Sequence, residues 1–188
     1  MAPKTRFERE DISRAAFQLV RRQGIESLSV RNLAAELGCS TAPIFTAFTG
    51  IGEVEAEVVR MAEELYSEYF RRGINDSRPF KGAGMSYVLF AKEEPLLFKL
   101  LFMRPSGKES KAGNYFPHYF KYEGDVRGVI KNSHAVDDDL ARDIYNHLSV
   151  YVHGLACLYA EGQCYFTDEQ VKKMISQVFI SLMEANKK

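Results

Sequence analysis

The sequence predicts an all-α protein with a three-helix N-terminal head on a larger helical body. Apolar residues recur at helical spacing along nearly the whole chain of 188 residues. No stretch keeps the strict alternation of apolar and polar residues that strands show. The chain is short for two independent globular domains, but it is long enough for one well-buried core or for a small head on a larger body.

The composition is that of an ordinary globular protein. Hydrophobic residues make up 46% and charged residues 27% of the chain, which excludes intrinsic disorder for most of it. We expect no membrane span, because no apolar run reaches about 18 residues, and no secretory signal, because the segment from Met1 to Arg9 is charged. Cys39, Cys157 and Cys164 have no disulfide-framework spacing, so we expect a cytoplasmic protein.

The charges are balanced over the chain and slightly unbalanced within it. There are 25 basic and 25 acidic residues, so the formal net charge is zero. Residues 1 to 48 hold seven basic and five acidic side chains, an excess of two positive charges. The direction of this asymmetry suits a DNA-binding head, but its size proves nothing alone.

Three helices are predicted in the head. The first covers about residues 7 to 23 and ends at Gly24, which suits a left-handed C-cap. Ser29 is the predicted N-cap of the second helix, which Gly38 ends. Ser40 opens the third helix, so that Pro43 falls in the first turn, where backbone N–H groups have no acceptor in the helix. The predicted inward faces are Ile12, Ala15, Ala16, Leu19 and Val20 in the first helix and Val30, Leu33, Ala34 and Leu37 in the second.

The body is predicted to follow a glycine-rich break at residues 49–52, so we divide the chain into residues 1–50 and 51–188. Gly73 is expected to stop the first body helix. Pro95 fits a first turn, and Thr167 with Gln170 forms a capping box. A mobile loop is expected from Arg104 to Gly113. The predicted body helices cover about residues 53–72, 79–92, 95–103, 114–131, 137–161 and 167–186.

The segment from Leu28 to Phe48 has the spacing of a helix-turn-helix, with Gly38 in the turn. In such a pair the first helix braces the second, so that side chains at the start of the second enter the roughly 12 Å wide major groove of B-DNA. The head is therefore predicted to bind DNA. The side chains expected to hold the two helices together are Leu33, Leu37, Ile44 and Phe48.

The residue types and spacing in the head follow a family sequence pattern. The residues that carry it are Ala15-Ala16, Gly24, Ser29-Val30-Arg31, Leu33-Ala34, Gly38, Ser40, Ile44-Phe45 and Phe48. In this order and spacing they resemble the head of the tetracycline-repressor (TetR) family of bacterial transcription regulators. In the body, residues 90–98 and 152–155 resemble two segments of one subgroup, although the tryptophan of the second is missing. The resemblance implies a small-molecule pocket in the body and a homodimer formed through its last two helices.

Two positions depart from the family pattern. Phe45 stands where a tyrosine is common and Ile51 where a lysine is common, and both of those side chains can reach a phosphate. Because each neutralised phosphate contributes about 0.9 to the salt slope, we expect weaker binding with a flatter salt dependence. The residues expected at the DNA are Lys4 and Arg6 in a basic arm, Arg31 at a phosphate, Thr41, Ala42, Pro43 and Thr46 at base edges, Gly50 and Gly52 at a phosphate, and Ser29, Ser40 and Phe45 beside them.

The body is rich in aromatic residues, which either line an apolar ligand cavity or form plain core. The residues expected at a small-molecule pocket are Tyr87, Phe90, Phe98, Phe102, Tyr119, Tyr151 and His153.

Other chemistry has weaker support. Asp139, Asp143 and His147 share one helix face, but a solvated face explains them better than a metal site. The cysteines suit packing better than redox sensing. Because no catalytic motif has the necessary context, we expect neither an enzyme nor a bound cofactor.

The last two predicted helices, about 137–161 and 167–186, are apolar around much of their circumference, which favours a second chain as a partner. The sequence thus predicts a homodimeric, ligand-responsive regulator, a repressor, that binds a pseudo-palindromic DNA operator. One alternative is a helical small-molecule-sensing protein with weak or lost DNA binding. A third, an all-α enzyme, needs a reactive group that the sequence does not reveal.

Overall fold

The all-α prediction is confirmed by a computed structural model, which describes residues 7–104 and 122–186. Within those residues the chain has nine α-helices, one short 3₁₀ turn at Ile25–Ser27, and no strand. In the same residues, no helix is long and apolar enough to cross a membrane. The helices are α1 (Arg9–Gln23), α2 (Val30–Glu36), α3 (Ala42–Ala47), α4 (Ile51–Ile74), α5 (Pro79–Glu93), α6 (Pro95–Phe102), α7 (Glu123–His134), α8 (Asp138–Ala160) and α9 (Asp168–Ala185).

The predicted helix signals act as expected at several ends. The Ser29 hydroxyl accepts a hydrogen bond from the Asn32 N–H at 3.1 Å. Thr167 and Gln170 form the reciprocal capping box of α9. The prolines at 43, 79 and 95 all lie in first turns, where no helical hydrogen bond is lost.

The predicted bounds of α3 and α4 differ from the structure. α3 begins at Ala42 rather than at Ser40, so Ser40 and Thr41 lie in the turn before it. α4 runs through Gly73 to Ile74. Gly73 serves a close helix crossing instead, because a Cβ at this position would lie 2.3 Å from the carbonyl oxygen of Gly82 in α5.

Part of the predicted body lies outside the described residues. The helix expected at 114–131 is observed as α7 from Glu123 to His134, and residues 114–121 are not described. The loop expected from Arg104 to Gly113 is described only at Arg104, whose guanidinium donates to Glu55 at 2.7 Å.

One buried cluster joins the head to the body. It runs from Ile12 and Leu33 through Val54 and Val58 on α4 to Leu97 on α6. A second cluster packs α7 against α8, with Ile130 and Ile144 at its centre and side chains of α9 against it. α4 thus packs against α1 of the head and against α5 and α6 of the body.

A partly buried ion pair also connects the head to the body. Arg21 on α1 donates from Nε to Glu94 at 2.7 Å and from a second nitrogen to the other carboxylate oxygen. Glu94 is the residue before α6 and is only 7% exposed. This bidentate bond therefore fixes α1 against the junction of α5 and α6.

Candidate functional site

α2 and α3 form a tight helix-turn-helix. Gly38 has a φ of +64°, a conformation that L side chains rarely adopt. The N–H of Cys39 donates to the Ala34 carbonyl at 3.0 Å and closes the turn. Leu33, Ile44 and Phe48 are buried in the cluster that includes Ile12 of α1, whereas Leu37 is partly buried. α3 is consequently held from behind, and its other face is exposed to solvent.

The outer face of α3 carries the residues that were expected at base edges. Ala42 and Thr46 are exposed and lie one turn apart, opposite the buried Ile44. Phe45, on one flank, is 58% exposed. Pro43, on the other flank, is partly buried, and Ser40 and Thr41 are exposed in the preceding turn.

The residues expected at phosphates have different surroundings. Arg31 is exposed near the start of α2, whereas the Ser29 hydroxyl already caps that helix. Gly50 is the N-cap of α4 and Gly52 its second residue, so the N–H of Gly52 has no acceptor within the helix. Lys4 and Arg6 lie outside the described residues.

Two residues at the base of α3 were missed by the sequence analysis. Arg9 donates to the Ala47 carbonyl at 2.7 Å and to the Glu53 carboxylate at 2.6 Å, and its guanidinium lies 4.0 Å from the centre of the Phe48 ring. Glu53 also accepts from the N–H and the hydroxyl of Thr49. Because Arg9 and Glu53 are 44 residues apart in sequence, no local pattern could have revealed this pair.

Glu53 changes the electrostatics at the start of α4. The hydrogen bond from the Thr49 N–H, followed by the bond from Arg9, lowers the pKa of Glu53 to about 2. The carboxylate is ionised at neutral pH, and its charge is paired with the Arg9 guanidinium. Because the Glu53 carboxylate already accepts the Thr49 N–H, that donor is occupied at the start of α4.

Three of the residues expected at a ligand pocket are core aromatics. Tyr87, Phe90 and Phe98 are almost completely buried, and the Tyr87 ring contacts the Phe98 ring edge to face at 5.2 Å. Phe102 is partly buried against them. Tyr151 is also partly buried, and Tyr119 is not described.

His153 lies between Tyr87, which was predicted at the ligand pocket, and Cys157. Its Nδ1 lies 2.9 Å from the Tyr87 hydroxyl and its Nε2 lies 3.4 Å from the Cys157 sulfur. Burial lowers the pKa of His153, and burial with the nearby charge of Glu161 raises the pKa of Cys157. Both groups are thus held neutral, which suits structural roles.

Two cavities in the body are lined by residues that the sequence analysis did not select. The inner one is about 40 Å³, lies between α4, α5, α7, α8 and α9, and includes Tyr66, Tyr145 and Ser149 in its wall. Burial raises the pKa of both tyrosines, that of Tyr145 to about 12. The outer one is a groove of about 370 Å³ with Phe80 and Phe179 in its wall. Among the described residues, none of the aromatic residues predicted for the pocket lines either cavity, because sequence alone does not distinguish cavity-lining aromatic residues from core ones.

The outward faces of α8 and α9 carry apolar side chains. Val150 is 58% exposed and Ile180 is 52% exposed, and Leu158 is exposed beyond them on α8. Gly154 lies between Val150 and Leu158, and a Cβ there would contact none of the described residues within 4 Å.

The fold defines a class, that of all-α proteins with a helix-turn-helix head on a helical body. The sequence matches no protein-family model and no curated protein. A solved structure, that of a member of the TetR family from Streptomyces coelicolor A3, has a TM-score of 0.60 to this chain at 16% identity, over 92% of this chain and 98% of that one. The chain therefore has a TetR-like fold, as the resemblance in its head implied, and an identity this low shows the fold alone.

Proposed function

We propose that the protein is a ligand-responsive transcriptional repressor that binds a pseudo-palindromic operator as a homodimer. The observation that carries the proposal is the geometry of α3, which is fixed by buried contacts on one side and exposes Ala42 and Thr46 on the other. A braced, exposed second helix is what entry into the major groove requires. We expect neither catalysis nor a bound cofactor.

The dimer is proposed to form through α8 and α9. Each has one face in the core and exposed apolar residues on the other, such as Val150 and Ile180. A helix that is apolar on two faces needs two partners, which two copies of α8 and α9 provide for each other around a two-fold axis. Two heads so related fit half-sites about one helical turn, roughly 34–36 Å, apart.

The effector is proposed to act through the inner cavity and α4. At about 40 Å³ the cavity is smaller than the roughly 300–1,000 Å³ of typical ligand sites, so binding requires the helices around Tyr66 to separate. Glu53, near the other end of α4, is bonded to Arg9, which also holds the last residue of α3. Movement of α4 therefore moves α3. A full switch needs an effector that prefers the released state by about 5.5 kcal/mol.

The first test is DNA binding by the full chain. The purified protein is titrated by fluorescence anisotropy against tiled duplexes from the DNA beside its own gene and against a random-sequence pool, at low and physiological salt. Its mass in solution is measured in parallel. Saturable binding by a dimer to a preferred sequence supports the proposal. Failure against both sets of DNA by a folded dimer refutes it.

Arg31→Ala gives a sharper test of the phosphate contact. Removing one contact in each protomer is expected to reduce the salt slope by about two in the dimer. Arg71→Ala removes the same charge from the exposed surface of α4 near its C-terminal end, outside the faces proposed for DNA and for the dimer, and is the matched control. Equal slopes for the two variants would contradict the assignment of Arg31.

The alternative, a small-molecule-sensing protein with weak or lost DNA binding, is favoured by two observations. Phe45 offers no hydroxyl to a phosphate, and Glu53 already accepts the Thr49 N–H just before α4, at the end of the helix where a phosphate was expected. A folded dimer that binds a small molecule but no DNA would support this alternative.

A further inference from the structure

The exposed surface of α3 is apolar. Its centre is formed by Ala42 and Thr46, one turn apart on the side opposite Ile44, and one flank is the Phe45 ring, which is 58% exposed. The Pro43 ring lies on the other flank and is partly buried.

The polar group on this surface is already engaged. The Thr46 hydroxyl donates its hydrogen to the Ala42 carbonyl at 3.0 Å, within the same helix. None of the six residues of α3 is an arginine, lysine, asparagine or glutamine. Those side chains make the usual bidentate contacts to guanine and adenine. α3 therefore lacks the groups that distinguish purines by paired hydrogen bonds.

We propose that α3 reads the 5-methyl groups of pyrimidines, chiefly thymine, by apolar contact in the major groove. This inference rests on the proposed DNA-binding function and names the feature of the operator that is recognised. The thymine methyl is the apolar group that base edges present in the major groove. The Ala42 methyl, the Thr46 methyl and the Phe45 ring are the surfaces that would cover it.

The expected effect follows from the size of a methyl group. Burying one group of this size changes an equilibrium constant by about fourfold. Because the operator has two half-sites, removing the same methyl from both should weaken binding about 16-fold.

The experiment begins with enrichment of binding sites from a random duplex pool by the full chain. Each thymine of the enriched site is then replaced by deoxyuridine, symmetrically in both half-sites, which removes only the methyl group. A second set replaces a sensitive T·A pair by C·G and by 5-methylcytosine·G. Dissociation constants are measured by anisotropy at one salt concentration.

Two variants separate the methyl of Thr46 from its hydroxyl. Thr46→Ser keeps the hydroxyl and removes the methyl, whereas Thr46→Val keeps two methyl-sized branches and removes the hydroxyl. We expect Thr46→Ser to lose the preference for thymine over uracil at one position of each half-site and Thr46→Val to retain it. Circular dichroism checks that both variants keep the helical content of the parent.

The outcomes are distinct. If no sequence is enriched and no DNA is bound, the proposed function fails and the inference fails with it. If a site is enriched but uracil leaves every dissociation constant unchanged, DNA binding stands and methyl recognition is overturned. The inference is supported if uracil weakens binding relative to thymine and 5-methylcytosine strengthens it relative to cytosine at the same position. Retention of the thymine preference by Thr46→Ser and its loss by Thr46→Val would assign the reading to the hydroxyl and overturn it.

Discussion

The ion pair between Arg21 and Glu94 offers the sharpest test of how the head is joined to the body. We consider Arg21→Ala, which removes the guanidinium that donates two hydrogen bonds to the Glu94 carboxylate. The carboxylate is 7% exposed and is left without its cation. The neighbouring Arg22 forms a pair of the same type with Glu36, but both of its members are more exposed, at 51% and 31%. Arg22→Ala is therefore the matched control.

The expected magnitude lies between two known limits. Removing one partner of a buried ion pair costs about 3–5 kcal/mol of unfolding free energy, whereas exposed pairs are worth about 0.2–1 kcal/mol. Because Arg21 is itself 40% exposed, we expect Arg21→Ala to cost about 2 kcal/mol and to lower Tm by about 4–8 °C. We expect Arg22→Ala to cost about 0.5 kcal/mol.

The assay is equilibrium unfolding in urea, followed by circular dichroism at one fixed protein concentration, because dimer formation would make stability depend on concentration. A third variant, Arg21→Ala with Glu94→Gln, removes the uncompensated charge and should recover part of the loss. The reasoning is refuted if Arg21→Ala and Arg22→Ala destabilise the protein equally, or if the double variant is less stable than Arg21→Ala.

Two further predictions concern the body. Gly73→Ala should destabilise the protein by about 2 kcal/mol, because its Cβ would lie 2.3 Å from the Gly82 carbonyl oxygen. Gly128→Ala should stabilise it by about 0.5–1 kcal/mol, because no described residue lies within 4 Å of its Cβ. Urea unfolding that gives both changes the same sign would contradict this. Burial lowers the pKa of His153 below its ordinary value of 6.5, so the unfolded chain takes up a proton first and stability should fall as pH drops below 6.5. Unfolding free energies at pH 7.5 and 5.5 should therefore differ more in the parent than in His153→Gln, and an equal difference in both would contradict the prediction.

The helical elements were largely readable from the sequence because their signals are local. Amphipathic spacing, the cap at Ser29 and the capping box at Thr167 each involve residues within one or two turns. The end of α4 was not readable in this way. From its neighbours in sequence alone, Gly73 looks like a helix terminator. In the structure it is helical, and it must be small because the Gly82 carbonyl of α5 packs closely against it.

The candidate site was readable only in part for the same reason. Which residues of α3 face outwards follows from helix periodicity once Ile44 is placed in the core. Two other features depend on side-chain geometry that no spacing rule supplies. The Thr46 hydroxyl bonds the Ala42 carbonyl within the helix, and the Glu53 carboxylate bonds Thr49 and Arg9. The carboxylates that accept from Arg9 and Arg21 lie 44 and 73 residues away in the sequence, beyond the reach of local patterns.

The sequence by itself determined the all-α class, the helix-turn-helix and its likeness to the TetR family, because apolar periodicity, caps and turn glycines act over a few residues. The tertiary structure alone decided which aromatic residues form the core and which line the cavity, since Tyr87 and Tyr66 carry the same chemistry and differ in what packs around them. It also decided how the head is tied to the body, because ion pairs such as Arg21 with Glu94 form only when distant segments meet.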